Sequence, residues 1–183
     1  DTRKFSQIQV LNEDFIRTNS DAINTPYNFQ SVVAEMSINF CLASKDPDGN
    51  QTNGIIRKFT NKSGFSLYDT TIHYNATGGS DAWDSEKYLN IWVCNIYGGI
   101  LGWAQFPYAG TKETDGVVIN HDNFGVNLNY SSAYNLGRTT THEVGHWLNL
   151  FHVWGDNTCG DDFVFDTPTQ EQANYGCKAH PFI

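Results

Sequence analysis

The chain has 183 residues, a formal net charge of −9, 39% hydrophobic and 14% aromatic side chains, and only 17% charged ones. That length predicts one domain, or two small lobes about a cleft, with enough apolar side chains for a sizeable core. No Lys/Arg cluster is present, which argues against nucleic acid, and no apolar run is long enough to span a bilayer.

Phe5, Ile8, Leu11, Phe15 and Ile16 recur at helical spacing and predict a helix over residues 5–17, stopped by Asn19 and Ser20. Residues 32–43 predict a strand on Val33, Met36, Ile38, Phe40 and Leu42. Asp46-Pro47-Asp48-Gly49-Asn50 reads as a plain turn, because its glycine falls at the fourth rather than the sixth position of an EF-hand loop. Residues 89–96 predict a buried strand. Residues 100–107 predict an edge strand, since Gly102 and Pro107 suit an edge. Residues 116–120 predict a third strand, and residues 135–148 a second helix. Alternation of helices and strands gives an α/β (α+β) fold.

Four cysteines, Cys41, Cys94, Cys159 and Cys177, form no CxxC pair. An even count without zinc-ribbon spacing suits disulfides in an oxidising, extracellular compartment. Cys159 and Cys177 lie in a Gly- and Asp-rich stretch and are expected to bridge. Cys41 and Cys94 lie in apolar runs, where pairing across strands and unpaired buried thiols both stay open. His73 and His180 have no partner pattern and read as surface residues; His121 reads as a loop histidine. The five tryptophans, Trp83, Trp92, Trp103, Trp147 and Trp154, read as packing in the core and along a cleft.

The chemistry concentrates in the second helix. His142 and His146 stand four apart, so a helix puts both imidazoles on one face, one turn apart, as two corners of a tetrahedral ion. Glu143 lies beside them, where a general base for a zinc-activated water is needed. His152 is the third candidate. A straight helix would carry it ~15 Å along the axis from His142. The chain must therefore turn sharply after Leu148, and Asn149 is the best non-glycine residue for the left-handed backbone such a turn requires. Three histidines leave one coordination position free, which marks a catalytic rather than a structural zinc site.

The stretch from His142 to His152 resembles the extended zinc motif of the metzincin metalloproteases, with Asn149 where that motif usually has glycine. Leu101-Gly102-Trp103-Ala104-Gln105-Phe106-Pro107, Asp115 to Ile119, Cys159-Gly160-Asp161-Asp162 and Asp166-Thr167-Pro168 narrow the resemblance to the pappalysin family. The resemblance covers nearly the whole chain. It implies a zincin domain with a twisted mixed sheet, an edge strand over a horizontal cleft, an active-site helix and an irregular C-terminal subdomain. The boundary falls between residues 1–149 and 150–183. It further implies a secreted zinc endopeptidase acting on extended protein or peptide substrates, which would pair with Leu101, Gly102, Trp103 and Ala104 by β-augmentation. Some members favour arginine on the leaving side, with which the net acidity is compatible.

Asp156, Asp161, Asp162 and Asp166 crowd into eleven residues. Such carboxylates suit either a solvated acidic loop or calcium, which accepts six to eight oxygens. The resemblance favours calcium and points to Asp156, Asp162 and Thr167 as ligands. It also implies further polypeptide: the family has a strand before the first helix and a methionine turn beneath the zinc, whereas the one methionine here is Met36. An inactive zinc- and calcium-bearing fragment serving as a binding module is the alternative reading.

Overall fold

The computed structural model describes residues 2–67 and 69–176. Among them, α1 spans Arg3–Phe15, β1 Ile91–Cys94, β2 Gly102–Ala104, β3 Val117–Asn120 and α2 Arg138–Trp147, with short 3₁₀ turns between. The strands form one mixed sheet in the order β1-β3-β2. β1 runs parallel to β3, with Ile91 opposite Val117 and Val93 opposite Ile119. β2 runs antiparallel on the other side, Gly102 opposite Ile119 and Ala104 opposite Val117. β2 is therefore the outer strand on that side, as Gly102 and Pro107 predict.

β3 is apolar at consecutive positions because it is covered on both faces. Val117 and Ile119 pack with Leu11, Phe15 and Val144, so both helices lie on one face of the sheet. Val118 points the other way, into a cluster with Phe65, Ile72, Trp92 and Ile96. Each such side chain contributes about 1.5–3 kcal/mol through burial.

The buried face of α1 differs from the expected one. It is Gln7, Leu11 and Phe15, while Phe5 is 61% and Ile16 38% exposed. The helix also begins at Arg3 and ends at Phe15, since Arg17 takes a positive φ of 55°. Residues 33–43 form no ladder among the described residues. Instead the Asn12 side chain satisfies Phe40 as a neighbouring strand would: Phe40 N–H donates to Asn12 Oδ1 (2.7 Å) and Asn12 Nδ2 donates to the Phe40 carbonyl (3.0 Å). Between this segment and the open edge of β1 runs a groove of about 1050 Å³, lined by Phe40, Cys41, Ile91 and Trp92 among others. The predicted turn at 46–50 is present, with Asp46 Oδ1 accepting from the Asp48 and Asn50 amides.

Cys41 and Cys94 are free thiols; Cys41 is exposed rather than buried, and burial pushes the Cys94 thiol up to about 12. Cys159, expected to bridge, is an exposed free thiol; its expected partner Cys177 lies outside the described residues, as does His180. His73 corrects the sequence reading. It is 5% exposed rather than at the surface, edge-on to Trp92 at 4.4 Å between ring centres. A histidine with an apolar body packs in a core when its neutral form is held there. No described helix is long and apolar enough to cross a membrane.

Candidate metal centre

α2 starts three residues later than the apolar pattern suggests, because Gly137 precedes it with φ 78°. Its start is fixed to α1 through Gln7, which is fully buried. Gln7 Oε1 accepts from Thr140 Oγ1 and from the Gly125 amide, both at 2.7 Å, and Gln7 Nε2 donates to the Gly137 carbonyl at 3.1 Å. Arg138 adds ion pairs to Asp14 at 2.9 Å and Asp21 at 2.7 Å. These contacts set the rotation of α2, which turns Val144 and Glu143 inward and leaves His142 facing out.

The helix ends as the turn argument requires, with Asn149 at φ 75°. Leu150 N–H reaches back to the Gly145 carbonyl at 2.9 Å, closing the last turn. The chain then brings His152 alongside the helix. The three Nε2 atoms stand 3.0 Å (His142–His146), 3.1 Å (His142–His152) and 3.2 Å (His146–His152) apart. Three ligands on a tetrahedral zinc at about 2.0–2.1 Å would stand about 3.3 Å apart. The triad is thus within a few tenths of an ångström of a zinc-sized face. Among the described residues it is the group of His, Cys, Asp and Glu close enough to share one ion.

The donor set fits chemically as well. Although His142 is exposed on its outer side, desolvation of its ring where the three histidines crowd together, reinforced by the charges of the other two, lowers it to about 4, and desolvation lowers His146. Both rings are therefore neutral at physiological pH, the form that binds a metal. His146 Nδ1 lies 2.7 Å from the Leu150 carbonyl, which can only accept, so its proton sits on Nδ1 and Nε2 offers a lone pair. Glu143 is 7% exposed, and burial raises its carboxyl to about 7.

Glu143 fits beside β2 because residue 102 is glycine. A Cβ there would lie 2.8 Å from the Val118 carbonyl oxygen and 3.0 Å from Glu143 Cγ. The sequence reading placed Gly102 on the edge strand and did not foresee this second role. A cleft of about 300 Å³ adjoins the triad, lined also by Leu150, Phe151 and Trp154. Phe106 stacks on Phe151 at 4.9 Å and meets the His146 ring at 5.1 Å. The much larger groove beside β1 contains none of the three histidines, so size does not mark the chemical site.

Residues 73–180 match the profile of the Peptidase_M43 family, described as pregnancy-associated plasma protein-A. The chain belongs to this family, the pappalysin metzincins. An extracellular metalloprotease of Arthroderma benhamiae is 33% identical over 180 residues, covering 93% of this chain and 49% of that protein. One of Colletotrichum graminicola is 46% identical over 86 residues, 43% of this chain and 30% of that protein. The chain thus spans half or less of these relatives. The structure is similar to Tannerella forsythia mature mirolysin in complex with a cleaved peptide, with TM-score 0.95 and 47% identity over 100% of this chain and 69% of mirolysin. A Tannerella forsythia promirolysin mutant gives the same TM-score and identity over 61% of its length.

Within this pappalysin chain the remaining candidates fall as follows. Gly102, Trp103 and Ala104 form β2, and the Leu101 carbonyl just before it accepts from the Asn120 amide at 2.8 Å. Asp162 is 8% exposed and takes the Val164 amide at 3.0 Å. The Thr167 amide donates to the Val164 carbonyl at 3.1 Å. Asp156 directs Oδ1 to His152 Nδ1 at 2.7 Å, a contact that spacing alone could not reveal. His121 is an exposed loop residue beside Asp122, 3.2 Å away, as expected.

Proposed function

We propose that this chain carries the catalytic centre of a secreted zinc-dependent endopeptidase. The observation that carries this reading is the trio of Nε2 atoms 3.0–3.2 Å apart, with Glu143 next in sequence to His142 and buried. His142, His146 and His152 would hold the ion. Zinc bound there supplies Lewis acidity to the scissile carbonyl and to water. Glu143 takes the proton from the attacking water and returns it to the leaving amine. The outer edge of β2, with Leu101, Gly102, Trp103 and Ala104, pairs with an extended substrate. The cleaved peptide in the mirolysin complex supports a peptide substrate, and the relatives' description as extracellular supports secretion. A basic side chain such as arginine on the leaving side suits the acidic loop and the net charge of −9.

Replacing Glu143 by Ala should leave zinc content unchanged and lower peptide turnover by ~10²–10⁴-fold. Undiminished cleavage by that variant refutes the role of Glu143.

Two features extend the reading. Asp156, Asp162 and Thr167 would bind calcium at the start of a second subdomain, residues 150–183, which follows in sequence the one formed by residues 1–149. The open edge of β1, facing unladdered residues 40–43 across the groove, supports a further strand from polypeptide of the same protein outside residues 1–183. If so, the amides of residues 38–42 gain hydrogen-exchange protection in the complete gene product relative to this chain; equal protection in both refutes the added strand.

A further inference from the structure

We infer that Asp156 is a positioning residue for His152, and that Trp154 shares the task. This rests on the reading of the histidine triad as a zinc site. His152 differs from the other two histidines because it does not sit on the helix, so nothing in helix geometry sets its ring. The loop that follows sets it instead. Asp156 Oδ1 lies 2.7 Å from His152 Nδ1. A carboxylate can only accept, so the ring proton stays on Nδ1 and the Nε2 lone pair faces the other two histidines. Trp154 lies flat against the same imidazole, 4.3 Å between ring centres and 7° from parallel. One contact fixes the tautomer and the other fixes the plane.

The backbone is bent to achieve this. Gly155 and Asp156 both take positive φ, 61° and 55°. The left-handed conformation costs a residue with a side chain about 1–2 kcal/mol. The Gly155 amide donates to the His152 carbonyl at 2.8 Å. Gly155 is also pressed against the chain returning at Asp161: a Cβ on it would lie 2.3 Å from the Asp161 nitrogen. The loop therefore doubles back on itself, with Cys159 also at positive φ, 52°, and Asp156 is the left-handed residue whose carboxylate meets the ligand. His146 gets the equivalent support from a neutral acceptor, the Leu150 carbonyl. Asp156 thus adds a negative charge behind one ligand of three, which strengthens its donation to a cation.

The test compares zinc affinity, by competition with a chromophoric chelator, in the complete gene product and its Asp156→Asn and Asp156→Ala variants, with calcium held in excess and then withheld. Cobalt(II) absorption serves as a second readout of ligand geometry. Asp156→Ala should bind zinc 10–100-fold more weakly and shift the cobalt bands. Asp156→Asn keeps an acceptor oxygen without the charge and should fall between Asp156→Ala and wild type. The same ranking should appear with and without calcium. Zinc affinity of Asp156→Ala within twofold of wild type, with unchanged cobalt bands, overturns the inference while leaving the zinc site standing. So does a loss that vanishes when calcium is withheld, because Asp156 then acts through that ion. If Asp156→Ala fails to fold, Asp156→Asn decides: wild-type affinity and bands overturn the inference, and weaker binding supports it. A wild-type protein that takes up no zinc overturns the site reading and this inference with it.

Discussion

Gly102→Ala tests how closely β2 and the active-site helix are matched. The added methyl would sit 2.8 Å from the Val118 carbonyl oxygen, 3.0 Å from Glu143 Cγ and 3.1 Å from Ile119 Cδ1, where ordinary contact begins at 3.4 Å. The carbonyl belongs to the central strand and cannot retreat, so about half an ångström must come from β2 or from Glu143. Overpacking of this kind costs about 1–3 kcal/mol of stability. A misplacement of 1 Å near reacting groups can cost ~10²-fold in rate. We expect kcat/KM to fall ~10–100-fold while zinc stays at one per chain, since the three atoms nearest the methyl belong to Val118, Glu143 and Ile119 and not to a histidine. Turnover of a quenched-fluorescence peptide, metal analysis and a melting curve on the same preparation measure all three. Wild-type turnover with full zinc occupancy would show that Glu143 has room to spare and would refute the packing argument.

Burial lowers His73 to about 4, from the usual 6.5. The unfolded chain therefore takes up a proton below pH 6.5 that the folded chain refuses, and stability falls as pH drops from about 6.5 towards 4, by roughly 2–3 kcal/mol in all. Urea midpoints across that range should show the slope, and His73→Phe should reduce it; an identical slope in the variant rejects the assignment. Gln7→Leu strands the Thr140 hydroxyl, the Gly125 amide and the Gly137 carbonyl, and at about 1–3 kcal/mol for each of these three buried groups the variant should lose at least about 3 kcal/mol. Denaturation equal to wild type would mean water replaces the glutamine at no cost. Removing calcium with a calcium-selective chelator should lower the melting point and weaken cleavage while zinc is retained; an unchanged melting point and full activity reject calcium in the acidic loop.

The elements that position the site were legible where side chains repeat. Val117, Val118 and Ile119 announce a strand, Gly102 and Pro107 an edge, and His142 and His146 a shared helix face. Asn149 announces a bend, because few residues other than glycine tolerate its backbone conformation. What escaped was polar and non-local. Gln7 looks like a solvent-facing residue until three groups from residues 125–140 converge on it. His73 carries no pattern, yet the core takes it as an aromatic. Residues 33–43 have a strand's composition but make no ladder, because pairing depends on a neighbour and not on the segment itself. Asp156 is one acidic residue among several until the loop folds it onto His152.

The way α2 stops has a consequence for engineering. Leu150 ends the helix with its N–H and holds the His146 ring with its carbonyl, 2.9 and 2.7 Å away respectively. Helix length and ligand aim are thus one variable. A substitution that prolonged α2 by a single turn would carry His152 away and release His146 with every ligand still encoded, so inspection of the motif alone would pass such a protein as intact.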